Sequence, residues 1–263
     1  MKNDRITLSQ FSFSMFLSLL SALMFIKGKP SVPNLAAAVA PLAIDLLIVA
    51  FYKGGAPIAV KAALAAYMFA YCVLVAVSFC RFLYKDLGYG PYWGLALVSV
   101  GFAYFCSVKG IEPLARASVI ISVFVFAALI YVTVLSLFKV EPEFEFDGFS
   151  GFSLPFSLLL PAAVYVLLYD NIIPEKKYIP YILFGILLAV IVFYYLLPDD
   201  KAAVGIFKGA DGLLSAVLSV ASAYSLSTCA QAVVGNTKKR ELLAAVFLGA
   251  VFAAAVVFLY CKI

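Results

Sequence analysis

The sequence predicts an all-α protein, a polytopic membrane bundle of about nine transmembrane helices forming one domain over residues 1–263. Hydrophobic residues make up 65% of the chain and charged residues 13%, and the mean hydropathy is +1.09. A soluble domain of this size needs a larger polar surface. The apolar residues also fall in runs of about 20, which is the length that crosses a bilayer as a helix. Since lipid offers no hydrogen bonds, each run must satisfy its own backbone.

The helix boundaries follow from the residues that separate the apolar runs. Pro30 and Pro33 divide the first two runs, Gly54 and Gly55 the next pair, and an acidic stretch at 141–147 follows the fifth. The remaining breaks are at Gly88–Pro91, Gly110, Pro174, Pro198 and Gly235. The predicted helices occupy residues 8–27, 33–52, 58–84, 90–108, 112–138, 152–170, 178–197, 211–234 and 241–260.

The distribution of lysine and arginine favours a cytoplasmic N-terminus. In this orientation the two clearest basic turns, Lys176–Lys177 and Lys238–Arg240, lie on the cytoplasmic side. The net charge of +5 is carried by short turns between apolar runs. Such turns fit contact with an anionic lipid surface, so we expect the bilayer as a partner and no nucleic acid.

The residue types of enzyme and metal sites are scarce in this chain. It has no histidine, its cysteines form no CxxC pair, and P-loop, GxGxxG and HExxH patterns do not occur. Metal and haem binding, and catalysis that needs histidine, are therefore not expected. We predict neither an enzyme nor a cofactor.

Asp45 is the most conspicuous polar residue, because it lies well inside the second apolar run. A carboxylate at membrane depth costs about 2.5–3.5 kcal/mol on insertion scales and normally faces the bundle interior. It is either a proton- or cation-linked site, or a structural hydrogen bond or ion pair. Arg116, which lies toward the same side of the membrane, is the predicted partner.

Serine stripes mark two helices. Residues three or four apart share a helix face, and such stripes either line a solute pathway or let helices pack closely. The stripe of the first helix is Ser14, Ser18 and Ser21, and that of the eighth is Ser215, Ser219 and Ser222, followed by Ser225 and Thr228.

The sixth run contains Pro161, which removes one helical hydrogen bond near mid-membrane. Helices broken at this depth form the substrate site of many transporters, whereas a simple proline kink is the alternative. Ser157 and Tyr165 flank the position.

Three stretches of the sequence resemble one family. The opening segment Arg5-Ile-Thr-Leu-Ser-Gln-Phe-Ser-Phe13 is similar to the start of endospore germination permeases. The segment Lys109-Gly-Ile-Glu-Pro-Leu-Ala-Arg-Ala-Ser118 resembles the Gly-x-Glu-x-x-Ala-Arg motif that opens their fifth helix, here with Gly110, Glu112 and Arg116. Asp170 and the turn Glu175-Lys176-Lys177 resemble the charged turn after their sixth helix.

This family comprises the B-type subunits of nutrient germinant receptors, within the amino acid–polyamine–organocation superfamily. The resemblance implies a LeuT-like core of two inverted five-helix repeats, with 8–138 as the first and 152–260 as an incomplete second. It also implies a membrane subunit, in the inner membrane of a spore or the cell membrane of a spore-forming bacterium, that senses or passes a small solute such as an amino acid. A- and C-type subunits would be its partners.

Two other functions fit the same sequence. The chain could be an ordinary secondary transporter for an amino acid, or a structural paralogue that transports nothing. In each case we expect Glu112 to pair with Arg116, because acid before base at a spacing of four is the favourable order on a helix.

Overall fold

The computed structural model describes residues 5–25, 32–85, 90–137, 152–196, 210–235 and 239–261. Almost all of these residues are helical. In chain order the elements are β1 (Ile6–Thr7), α1 (Leu8–Leu19), a 3₁₀ segment (Leu20–Phe25), α2 (Val32–Phe51), α3 (Ile58–Lys85), α4 (Tyr92–Lys109), α5 (Ile111–Leu137), α6 (Ser153–Leu158), α7 (Leu160–Leu168), a second 3₁₀ segment (Tyr169–Asn171), β2 (Ile172–Ile173), α8 (Ile179–Leu196), α9 (Ala210–Val234) and α10 (Arg240–Cys261).

The all-α class is confirmed, and the helices indicate an integral membrane protein. Within the described residues, six helical segments are long and apolar enough to cross a membrane. They are Leu8–Phe25, Ile58–Tyr84, Ile111–Tyr131, Ser153–Asn171, Ala216–Val234 and Arg240–Cys261. Three shorter apolar helices, Leu35–Phe51, Trp93–Lys109 and Ile179–Val192, accompany them. Nine complete spans therefore stay a prediction.

The first and eighth predicted spans form the centre of the bundle. In Leu8–Phe25 and in Ala216–Val234, 78% of the residues in the most apolar stretch are buried, whereas in Arg240–Cys261 the share is 28%. α1 packs against α5, α8 and α9, and α9 packs in turn against α3 and α4. Large apolar side chains on the outer helices are exposed, as a lipid-facing surface requires.

The first span, predicted as one continuous helix over 8–27, changes from α to 3₁₀ geometry at Leu20. Serine hydroxyls near this point bond to the backbone of the preceding turn. The Ser18 hydroxyl donates to the Ser14 carbonyl at 2.9 Å, and the Ser21 hydroxyl donates to the Ser18 carbonyl at 2.7 Å. Such bonds compete with the helical ladder and bend helices, so the serine stripe accompanies the change of geometry.

The sixth span, predicted over 152–170, is also interrupted. α6 ends at Leu158 and α7 begins at Leu160, with Pro161 as its second residue. The single residue between them, Leu159, keeps αR dihedral angles (φ −80°, ψ 0°), and Leu160, directly before Pro161, is already helical. Proline has no N–H and fits the first turn of a helix, so the helix of this span is interrupted at Leu159, two residues before Pro161.

A short parallel strand pair joins these two interrupted spans. β1 precedes α1, β2 follows α7 and its 3₁₀ extension, and Ile6 aligns with Ile172 and Thr7 with Ile173. Thr7 also caps α1, since its hydroxyl accepts the N–H of Gln10 at 3.2 Å and the Gln10 side chain accepts the N–H of Thr7 at 3.0 Å. The start of the first span is thus fixed beside the end of the sixth.

The Gly110 motif forms the corner between α4 and α5. Gly110 has a φ of 101°, which a residue with a side chain rarely adopts, and it permits the sharp turn. The predicted ion pair between Glu112 and Arg116 is present. Arg240 donates to the Val108 carbonyl at 2.7 Å, so a cation also stabilises the carboxyl end of α4.

Candidate functional site: a carboxylate and a hydroxyl cluster at two helix breaks

Asp45 faces the interior of the bundle, as predicted, and its side chain is completely buried. Its Oδ1 atom accepts a hydrogen bond of 2.9 Å from the backbone N–H of Ala162, in the first turn of α7. In a continuous α-helix this N–H would donate to the carbonyl four residues earlier. The carboxylate therefore stabilises the amino end of α7, where the helix dipole also favours a negative charge.

The prediction that Arg116 is the partner of Asp45 is wrong. Arg116 is 67% exposed and pairs with Glu112 one turn away, whereas Asp45 has no exposed surface. Glu112 lies four residues before Arg116 on the same helix, so its carboxylate reaches the guanidinium without any tertiary contact. Among the described residues, the second carboxylate oxygen of Asp45, Oδ2, has no hydrogen-bond partner.

A cavity of about 560 Å³ lies beside Ala162, the residue whose N–H bonds to Asp45. It is bounded by α2, α3, α7 and the turn that connects α2 to α3, and its wall is mainly apolar. Gly54 and Gly55 of that turn also line it. Tyr67 also lines it, and the Tyr67 hydroxyl donates to the Phe156 carbonyl of α6 at 2.6 Å.

A cluster of hydroxyl groups lies at the other helix interruption. The Ser21 hydroxyl is 3.0 Å from both the Tyr71 and the Ser225 hydroxyls, and the single proton of the Tyr71 hydroxyl can be donated either to Ser21 or to Ser225, which is 3.2 Å away. The Ser225 hydroxyl also lies 2.6 Å from the Ser18 carbonyl, to which it can donate. All four residues are buried. We call Ser18, Ser21, Tyr71 and Ser225 the hydroxyl cluster; it joins the first span to α3 and α9.

Buried hydroxyls without partners lie on the same helices. Within the part of the chain that the structure describes, Ser14, Ser222 and Thr228 are buried and their hydroxyl oxygens have no hydrogen-bond partner. A buried polar group without a partner costs about 1–3 kcal/mol, a cost that a hydrogen bond to a polar ligand or a water molecule would relieve.

The other predicted site residues belong to α6, α7 and α9. Ser157 is buried in α6 and bonds to the Ser153 carbonyl of its own helix at 2.7 Å. Tyr165 of α7 packs against Phe11 of α1, with 5.6 Å between ring centroids, so it joins the two interrupted spans. Ser219 is half-buried, and the side chain of Ser215 lies outside the described residues.

Tyr67 and Tyr71 are the site residues that sequence reasoning missed. The signal that could have found them is two phenols four residues apart within the long apolar run of α3, because a buried tyrosine hydroxyl usually needs a partner. Ser225 was recognised as part of the serine stripe but not as a site residue. Ser225 belongs to the site because it contacts Tyr71 of α3 and Ser21 of the first span, which are distant from it in the sequence.

Both places present polar groups inside an apolar bundle. The hydroxyl cluster offers hydrogen-bond donors and acceptors, and Asp45 offers one carboxyl oxygen that has no partner among the described residues. No family model matches the chain, and searches of curated proteins and of solved structures find no match.

Proposed function

We propose that this chain is a permease-like membrane subunit of a spore nutrient-germinant receptor, which senses or passes a small solute such as an amino acid. The observation that carries the solute-binding part of the proposal is the hydroxyl cluster. It lies where the first span loses α-helical geometry, and unpartnered hydroxyls lie on the same helices. The germinant-receptor context, with A- and C-type partner subunits, rests on the resemblance at Gly110, Glu112 and Arg116.

The changes of helix geometry in two spans support an inverted-repeat core. In the predicted division, the spans at 8–27 and 152–170 are the first members of the two repeats. The first passes from α to 3₁₀ geometry at Leu20, and the second is interrupted at Leu159. Irregular helices are typical of transporters built from inverted repeats. The same feature favours the second candidate, a secondary transporter for the same class of solute.

A ligand-dependent thermal shift tests solute binding. The purified protein in detergent would be unfolded in the presence of each common amino acid in turn. A ligand that binds only the folded state at about 100-fold above its Kd adds about 2.7 kcal/mol of stability. We expect at least one amino acid to raise the Tm, and Tyr71→Phe to remove that shift.

Ser99→Ala is the matched control, because Ser99 is a half-buried serine whose hydroxyl donates to the Leu95 carbonyl within α4 at 2.8 Å. It should retain the ligand-dependent shift. If no amino acid raises the Tm, or if Tyr71→Phe responds like the wild type, the hydroxyl cluster is not the solute site. Uptake into proteoliposomes distinguishes a transporter from a sensor, and co-purification with A- and C-type subunits tests the receptor assembly.

A further inference from the structure

We propose that Asp45 is a proton-binding site and that its protonation state controls the contact between α2 and half-helix α7. This inference goes beyond the proposed function, because it does not depend on which solute the hydroxyl cluster binds.

The two oxygen atoms of the buried Asp45 carboxyl group differ in their hydrogen bonding. Oδ1 accepts the Ala162 N–H at 2.9 Å. Oδ2 is enclosed in the bundle and has no hydrogen-bond partner among the described residues. An unpartnered carboxylate oxygen at membrane depth, at the amino end of a half-helix, is costly unless it binds something.

The surroundings select a proton over a metal cation. A sodium or divalent ion needs several oxygen ligands, and within the described residues no group of three or more carboxylate, cysteine or histidine side chains could hold a metal ion. A proton needs a single oxygen. Protonation forms one O–H bond at Oδ2 and breaks one in the hydronium ion or buffer acid that delivers the proton, so no other co-reactant is required.

The cavity beside α7 lies next to the hydrogen bond of this carboxylate. Ala162, whose N–H bonds to Asp45, lines it, together with Gly54 and Gly55 of the turn between α2 and α3. Asp45 itself is fully buried and is not one of the lining residues.

The consequence follows from the charge on the capping group. An ionised carboxylate is a stronger acceptor than a neutral acid, and it interacts favourably with the positive end of the α7 dipole. Protonation removes both effects at Ala162. The contact that holds the amino end of α7 against α2 therefore weakens when Asp45 binds a proton.

Few other titratable groups face this carboxylate. α6, α7 and α8 pack against α2. α6 has no titratable side chain, and those of the other two are phenols: Tyr165 in α7 and Tyr181, Tyr194 and Tyr195 in α8. From α3, the phenol of Tyr67 interacts electrostatically with Asp45. Tyr52, the residue directly after α2, follows Asp45 by seven positions.

Infrared difference spectroscopy tests the proposal on the full chain in lipid nanodiscs. Spectra of the wild type and of Asp45→Asn would be recorded from acid to alkaline pH, and their difference isolates the carboxyl of residue 45. We expect a protonated-carboxyl band that is lost as the pH rises. Asp170→Asn, which removes an exposed carboxylate, should leave that titrating band in place.

In the difference between the wild-type and Asp45→Asn spectra, two results would overturn the proposal. A band missing at every pH means that Asp45 stays ionised, and a band that never disappears means that it stays a neutral acid. If Asp45→Asn does not fold, Asp45→Glu keeps a carboxyl and should move the titrating band; an unmoved band would overturn the assignment. If the pH at which the protonated-carboxyl band disappears changes when sodium replaces choline in the buffer, the site binds a metal cation instead.

Discussion

Tyr67 and Tyr71 lie one turn apart on α3, with their rings stacked at 6.3 Å between centroids, and their hydroxyl groups bond to different interrupted spans. Tyr67 donates to the Phe156 carbonyl of α6, whereas Tyr71 bonds to Ser21 of the first span. One face of one helix therefore contacts both breaks. A shift of α3 would alter the hydrogen bonds at both.

The first prediction concerns these two phenols. Tyr67→Phe and Tyr71→Phe should each destabilise the protein by about 1 kcal/mol, because each leaves polar groups without a hydrogen bond. Residues in contact couple by about 0.5–3 kcal/mol, and the two rings are stacked, so the destabilisation of the double variant should differ from the sum of the single variants. Denaturant unfolding in detergent gives the three free energies. Tyr131→Phe is the control, because Tyr131 is 55% exposed on α5. If the losses in free energy of unfolding of the two single variants add up to that of the double variant, the two phenols are not coupled.

The second prediction separates capping from charge at Asp45. Asp45→Ala should destabilise the protein by about 0.5–2 kcal/mol, since it removes the acceptor for the Ala162 N–H. Asp45→Asn should cost less, because the amide oxygen still accepts that bond. Leu47→Ala, on the same helix and 56% exposed, is the comparison for a side chain outside the core. An alanine variant as stable as the wild type would mean that the hydrogen bond contributes nothing to the fold.

Hydropathy located the spans because each one must be long and apolar whatever it packs against. The prediction of 58–84 corresponds to Ile58–Lys85 in the structure, and 241–260 corresponds to Arg240–Cys261. Asp45 was recognised for the same reason, since a carboxylate in an apolar run is conspicuous without any knowledge of the fold.

The details of the site could not be read from the sequence, because they depend on partners from distant helices. No glycine or proline marks the change of geometry at Leu20. It accompanies hydrogen bonds that Ser18 and Ser21 make with Tyr71 and Ser225, residues about 50 and 200 positions away. The pairing of Asp45 with a backbone N–H was missed because sequence reasoning considers charged partners first.

The third prediction concerns the ion pair at the start of α5. Glu112→Lys and Arg116→Glu should each lower the yield of folded protein, since each places like charges one turn apart. The double reversal should recover part of the loss but not all, because a lysine in the first turn opposes the helix dipole. The pair is partly exposed, so its contribution should stay below about 1 kcal/mol. Fluorescence-detected size-exclusion chromatography measures the yield, and a double variant no better than either single variant would contradict a pairwise interaction.

The last prediction concerns the turn between α2 and α3, which lines the cavity beside α7. Gly54 and Gly55 have φ values of 90° and 83°, so alanine at either position is strained by about 1 kcal/mol or more. At Gly54 a Cβ atom would also lie 2.9 Å from the ring of Tyr169, whereas at Gly55 it would meet nothing within 4 Å. Gly54→Ala should therefore lower the Tm more than Gly55→Ala does, and the added substitution Tyr169→Ala should narrow that difference by removing the ring. If Gly54→Ala and Gly55→Ala lower the Tm by the same amount, both in the wild-type background and in the Tyr169→Ala background, Tyr169 does not pack on this turn.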